Sequence, residues 1–97
     1  MILAGTVLDI HKNPLWGVIV YAFYAPQLGS MRGWLRVGSC ATDSQGDFQI
    51  TTKNGTLAPV TLKYCLNGDF AKFFEGKSID DCILYTEDQL DLQLVVE

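Results

Sequence analysis

The chemistry open to this chain rests on one histidine, three cysteines and a set of carboxylates that thickens toward the C-terminus. His11 stands in the turn-forming run His11-Lys12-Asn13-Pro14. A general base needs a nucleophile or carboxylate within hydrogen-bond reach, and a histidine at a turn is expected to face solvent. Cys40, Cys65 and Cys82 show no C-x-x-C spacing of the kind that zinc or dithiol redox chemistry uses, and an odd number cannot pair fully within one chain. Each lies in an apolar stretch where a thiol packs as a small hydrophobe, so buried free thiols are expected, with one disulfide as the alternative. Asp43 and Asp47 bracket a glycine-containing loop but lack the D-x-[DN]-x-[DN]-G order and the later glutamate of a calcium-binding EF-hand. Asp43 is expected to bond its own turn backbone instead. Glu75, Asp80, Asp81, Glu87, Asp88 and Asp91 could furnish a glycosidase carboxylate pair only across a cleft of defined width, and a solvated acidic face is the expectation. Asn54-Gly55-Thr56 fits the glycosylation acceptor pattern, which matters only in a eukaryotic secreted protein. No catalytic residue, metal ligand or cofactor site follows, and the chain is expected not to be an enzyme.

Aromatic residues offer more. Trp16, Tyr21, Phe23, Tyr24 and Trp34 gather within nineteen positions, and Arg32 and Arg36 flank Trp34. Part of this set must fill a core, and the surplus is expected to form an apolar patch of the kind that marks an interface. Arginine beside tryptophan is a frequent hot-spot combination. Tyr24, Arg32, Trp34 and Arg36 are therefore the candidate binding residues. Stacking on a sugar ring is the other use of an exposed tryptophan, so carbohydrate is a possible ligand.

The elements that must position these residues read as strands and turns throughout. Ile2–Asp9 is β-rich and closes on the Pro14 turn; Trp16–Tyr24 is apolar on both faces, as expected at the centre of a sheet or beneath a partner, and its second face is expected to be covered either by the Phe70–Asp81 segment folding back or by another chain. Ala25–Gly33 is a loop, Trp34–Thr42 a strand, Asp43–Gly46 a turn and Asp47–Thr51 the returning strand. Lys53-Asn54-Gly55 and Asn67-Gly68-Asp69 are further turn signals around a strand at Pro59–Leu66. Phe70–Asp81 is irregular, with room for one helical turn. Cys82–Thr86 is a short strand, and Leu90–Glu97 places Leu90, Leu92, Leu94 and Val96 on one face. About seven strands at intervals of roughly 8–12 residues give an all-β, antiparallel sandwich, with a small barrel as the alternative closure. The predicted core includes Phe48, Leu62, Leu92, Leu94, Val18 or Ile19, and Val20 or Tyr21.

Composition bounds the rest. With 97 residues there is room for a single domain, residues 1–97, and 48% hydrophobic against 19% charged residues supports a packed core. A net charge of −4 with scattered basic residues argues against nucleic acid, which needs a basic surface. No apolar run approaches the roughly 18 residues of a membrane-spanning helix, so no membrane insertion is expected. The N-terminus lacks a basic leader and apolar h-region, which gives a cytoplasmic expectation for a free-standing chain; a domain excised from a longer secreted protein is the alternative and leaves the compartment open.

Gly5-Thr6-Val7-Leu8-Asp9, then Pro14-Leu15-Trp16-Gly17-Val18-Ile19-Val20, then Thr42-Asp43-Ser44-Gln45-Gly46-Asp47-Phe48 form an ordered series over roughly residues 3–52. The series resembles the transthyretin-like, or carboxypeptidase regulatory-like, domains, whose members often read G-x-V-x-D, P-L-x-G-V-x-V and T-D-x-x-G-x-F. The resemblance implies a Greek-key sandwich of about seven strands, in a group that mostly serves as accessory, adhesive or assembly domains. Its hydroxyisourate hydrolase branch uses two histidines, an arginine and a C-terminal Y-R-G-S; this chain has one histidine and ends LDLQLVVE, so that activity is not carried over. The expected function is a non-catalytic module that binds a protein partner or itself, with a carbohydrate-binding accessory module as the alternative.

Overall fold

The computed structural model describes residues 1–52 and 58–97. The turn expected at Lys53-Asn54-Gly55 and the Asn54-Gly55-Thr56 acceptor pattern lie outside the described residues. Seven strands are described: β1 (Ile2–Leu8), β2 (Ile19–Tyr24), β3 (Leu35–Ala41), β4 (Asp47–Thr51), β5 (Val60–Cys65), β6 (Lys72–Phe73) and β7 (Gln89–Val95), with one 3-10 turn at Phe74–Gly76. They form a three-stranded sheet in the order β4-β1-β7 and a four-stranded sheet in the order β3-β2-β5-β6. The sheets pack face to face as a β-sandwich around Leu3, Val7, Val20, Ala22, Phe48, Ile50, Leu62, Tyr64 and Leu94. The period-2 alternation produces this directly, because successive side chains of a strand point to opposite faces. β4 shows it cleanly: Phe48 and Ile50 are buried and Asp47, Gln49 and Thr51 exposed. One ladder departs from the antiparallel expectation, since β7 runs parallel to β1.

The corner between β3 and β4 is built by its side chains. Asp43 Oδ1 accepts the backbone N–H groups of Gln45 and Asp47, each at 2.9 Å, so the carboxylate holds its own turn as expected. Gly46 closes the turn at φ 77°, donates its N–H to the Asp43 carbonyl and accepts the Val7 N–H at 2.8 Å. The hydroxyl of buried Thr42 then joins the two connections: it accepts the Val18 N–H at 2.9 Å and donates to the Leu15 carbonyl at 2.7 Å. At the neighbouring turn after β1, Asp9 Oδ1 accepts from the Asn13 and His11 N–H groups, which lowers the carboxyl's pKa, and His11 is exposed.

Three expectations need correction. β2 begins at Ile19, not Trp16; Trp16 lies in the connection to β1 and is 77% exposed. The Cys82–Thr86 strand reduces to a single bridge between Tyr85 and Val60, because β5 shares that edge with β6 and leaves little ladder for either. Leu90 is exposed although Leu94 and Val96 are buried and Leu92 is half-buried. The register explains it: an advance of two positions on β1, from Leu3 to Gly5, is matched by an advance of three on β7, from Gln89 to Leu92. The extra residue is a bulge, and a one-residue shift reverses the face on which Leu90 would have been buried. The Phe70–Asp81 segment holds β6 and the 3-10 turn, whose Phe74 is buried against Tyr64 with ring centroids 4.8 Å apart.

Candidate functional site: the solvent face of the four-stranded sheet

Residues of β2 and β5 that do not enter the core fall on the outer face of the four-stranded sheet. Tyr21 and Phe23 alternate with the buried Val20 and Ala22, and their ring centroids lie 6.1 Å apart. Thr61 and Lys63 stand beside them on β5, in register with Phe23 and Tyr21 respectively. Trp34 is delivered to the same face by the end of the Ala25–Gly33 loop, where its N–H bonds the Met31 carbonyl and Gly33 takes φ 79°. Its ring meets Phe23 at 5.9 Å. Phe73 arrives from the other side. Asn67 and Gly68, both at positive φ, turn the chain after β5 in the manner of a type I′ hairpin, and β6 pairs Phe73 with Lys63. Phe73 meets Trp34 edge-on, with centroids 5.9 Å apart and planes at 84°.

The result is a continuous row, Tyr21–Phe23–Trp34–Phe73, on a face that a two-sheet sandwich ordinarily turns to solvent. Edge-to-face and tilted contacts at these distances are each favourable by about 0.5–1.5 kcal/mol beyond area burial. The row shields what lies under it: Thr61 is 1% and Lys63 8% exposed. The Lys63 ammonium lies 4.7 Å from the Phe73 centroid, and burial pushes its pKa below the ordinary lysine value. Arg36 joins the row through a second bulge. Between Ala22 and Phe23 the partner on β3 jumps from Gly38 to Arg36, so Val37 is the extra residue and Arg36 changes face. Its guanidinium carbon stands 5.9 Å from the Tyr21 centroid, within cation–π range. The Trp34 Nε1–H is buried and has no acceptor among the described residues.

Beside the row, Tyr21, Phe23, Arg36, Cys65, Asp69, Phe70 and Ala71 line an open concavity of about 540 Å³. Phe70 forms a wall that is 95% exposed, and the Cys65 thiol donates to the Asp69 carbonyl. Of the four candidate binding residues, Trp34 and Arg36 come together here. Tyr24 falls on the other face of β2, in step with Val20 and Ala22, and Arg32 lies exposed in the loop. Lys63 joins the site without having been singled out, while Phe70 and Phe73 come from the Phe70–Asp81 segment, which folds back over part of this face as one of the two expected covers. A lysine in Thr61-Leu62-Lys63-Tyr64 reads as a solvated residue on the polar face, and only the packing of Phe73 makes it otherwise.

The three cysteines are unpaired, Cys82 buried and Cys40 and Cys65 half-buried. Among the described residues no group of three or more histidine, cysteine, aspartate or glutamate side chains is placed to hold a metal ion, and no helix is long and apolar enough to cross a membrane.

No protein-family model matches the sequence. The search of curated proteins returns no significant match either. Among solved structures, 98% of the chain superposes on part of a 9R-lipoxygenase from Cyanothece PCC8801, with TM-score 0.61 and 15% identity. The match spans 16% of that lipoxygenase, so the likeness is one of fold over a small part of a much longer chain. A 3-chlorocatechol 1,2-dioxygenase from Rhodococcus opacus 1CP aligns over 97% of this chain and 57% of its own, with TM-score 0.48 and 18% identity.

Proposed function

We propose that this chain is a non-catalytic binding module, a transthyretin-like Greek-key sandwich that recognises a protein partner, or a second copy of itself, through the solvent face of its four-stranded sheet. One observation carries the reading: the aromatic row Tyr21–Phe23–Trp34–Phe73, with Arg36 at its end, lies outside the core rather than within it. Aromatic and arginine side chains on a sheet face are the composition of interface centres. The Asp43–Gly46 corner and the Pro14–Gly17 connection support the fold assignment, since both do structural work at the positions where the resemblance places them.

A carbohydrate-binding module is the second reading, favoured by the open concavity in which Tyr21 and Phe23 rings lie between Arg36 and Asp69. Sedimentation velocity on wild type and Trp34→Ala at micromolar concentration, with partner capture and a glycan array run alongside, tests both. The protein-binding reading expects a dimer or a captured partner that Trp34→Ala weakens without loss of fold. A monomer that captures no protein, or captures one equally well as Trp34→Ala, overturns it. Saccharide binding by the same monomer would establish the second.

A further inference from the structure

The groups on the sheet face are unequal in what they offer a ligand. Arg36 is exposed and lines the concavity, and among the described residues the contact of its cationic head is with the Tyr21 ring; Lys63 lies shielded beneath the row and does not reach the lining. Asp69, on the far rim of the concavity beside Phe70, is the one carboxylate in its lining. The lining thus holds one cation, Arg36, and one carboxylate, Asp69, and the guanidinium rests on a ring rather than on that carboxylate. A ring satisfies a cation less completely than a carboxylate does, since cation–π contacts lack the hydrogen bonds of a charge-assisted pair.

Geometry narrows the ligand further. Arg36 lies on β3, the terminal strand of the sheet, and among the described residues β3 ladders with β2 alone. The concavity therefore opens at its arginine end onto a sheet edge, where an extended chain can add main-chain hydrogen bonds while alternate side chains reach the neighbouring face.

From this arrangement we propose that the partner segment is an extended acidic peptide, with an aspartate or glutamate side chain on Arg36 and, two residues along on the same face of the peptide, an aromatic side chain in the concavity between Tyr21, Phe23 and Phe70. The proposal rests on the reading of this face as a protein-binding surface and adds the chemistry of what binds. Three end-blocked hexapeptides test it, each carrying two tyrosines, with the other four positions all aspartate, all asparagine or all lysine. Their binding is followed by fluorescence anisotropy on wild type, Arg36→Gln, Asp69→Asn and Trp34→Ala, with circular dichroism confirming that each variant is folded. The aspartate peptide is expected to bind about tenfold tighter than the asparagine peptide at low salt, and the lysine peptide most weakly. The advantage fades as salt is raised toward about 1 M, where the screening length falls to about 3 Å. Arg36→Gln should narrow the gap between aspartate and asparagine peptides several-fold, and Asp69→Asn should widen it. Equal binding of those two peptides, or preference for lysine, overturns the acidic ligand; if Trp34→Ala still weakens all three, the face binds chains without charge preference and the broader reading survives. If no peptide binds, the acidic ligand is likewise overturned, and the sedimentation experiment above decides the broader reading by itself.

Discussion

Replacing Thr42 with valine removes one oxygen and keeps the shape of the side chain, yet it should cost more than most surface or core exchanges of that size. The hydroxyl serves two backbone groups that belong to different connections, the Val18 N–H and the Leu15 carbonyl. Val18 is 0% and Thr42 3% exposed, so water cannot take over the N–H without opening the sandwich. An orphaned buried donor costs about 1–3 kcal/mol, and the carbonyl of half-buried Leu15 adds a smaller amount because solvent can partly reach it. The total is roughly 2–4 kcal/mol, which for a domain of this size lowers the melting temperature by roughly 10–25 °C. Thr42→Ser is the control: it keeps the hydroxyl, loses a methyl group and should cost about 1 kcal/mol. Equilibrium urea unfolding followed by tryptophan fluorescence measures both. A valine variant within about 0.5 kcal/mol of wild type, or a serine variant as damaged as valine, would refute the reasoning.

Other consequences follow from the same fold. Gly46→Val should destabilise the domain although it deletes no contact, because φ is 77° and a Cβ would meet the Val7 carbonyl oxygen at 2.9 Å; urea unfolding should show a loss of at least about 2 kcal/mol. Leu94→Ala should cost about 2–5 kcal/mol and Leu90→Ser about nothing, and a costly Leu90→Ser in the same assay would contradict the β7 bulge. Lys63→Met should stabilise the fold at neutral pH. Burial disfavours the ammonium in the folded state, so its penalty is fully present below the lowered pKa and is relieved as pH rises through it toward the ordinary 10.5. The stability difference between Lys63→Met and wild type, measured by urea unfolding at several pH values, should accordingly shrink with rising pH. An unchanging difference would mean that Lys63 is not charged and desolvated in the way described. Tyr64 and Tyr85 have raised pKa values through burial and cost stability in both proteins as pH rises above about 10, which is why the difference rather than the absolute stability is the readout.

Much of the sandwich is legible in the sequence wherever a local rule and the global packing agree. Asp47–Thr51 is read with its boundaries intact because an Asx turn, a glycine at positive φ and strict alternation all coincide there. The error at Leu90 arises where one inserted residue changes the face. Alternation along β3 alone would keep Arg36 in step with Cys40 and Gly38, and alternation along β7 would bury Leu90; in each case a bulge reverses the outcome, and nothing in composition marks a bulge. The two-residue β6 is too short to leave a periodic trace, so the Phe70–Asp81 segment is legible as a cover for the face but the shielding of Lys63 is not. Within the candidate site, the surplus of aromatic residues on β2 is visible from the sequence, as is the Trp34–Arg36 pair. The split of Tyr24 from Tyr21 and Phe23 needs only the period-2 rule, applied from the buried Val20 outward.

Site-specific photocrosslinking tests the recognition face most directly. A photoreactive phenylalanine analogue placed at Tyr21, on the aromatic row, is compared with the same analogue at Gln49, an exposed β4 residue of the other sheet. Both proteins are irradiated at micromolar concentration, alone and in lysate. Crosslinks to a second copy or to a discrete protein from position 21, diminished by Trp34→Ala and weak or absent from position 49, are the predicted result. Equal crosslinking from the two positions, or crosslinks from position 49 alone, would contradict the account.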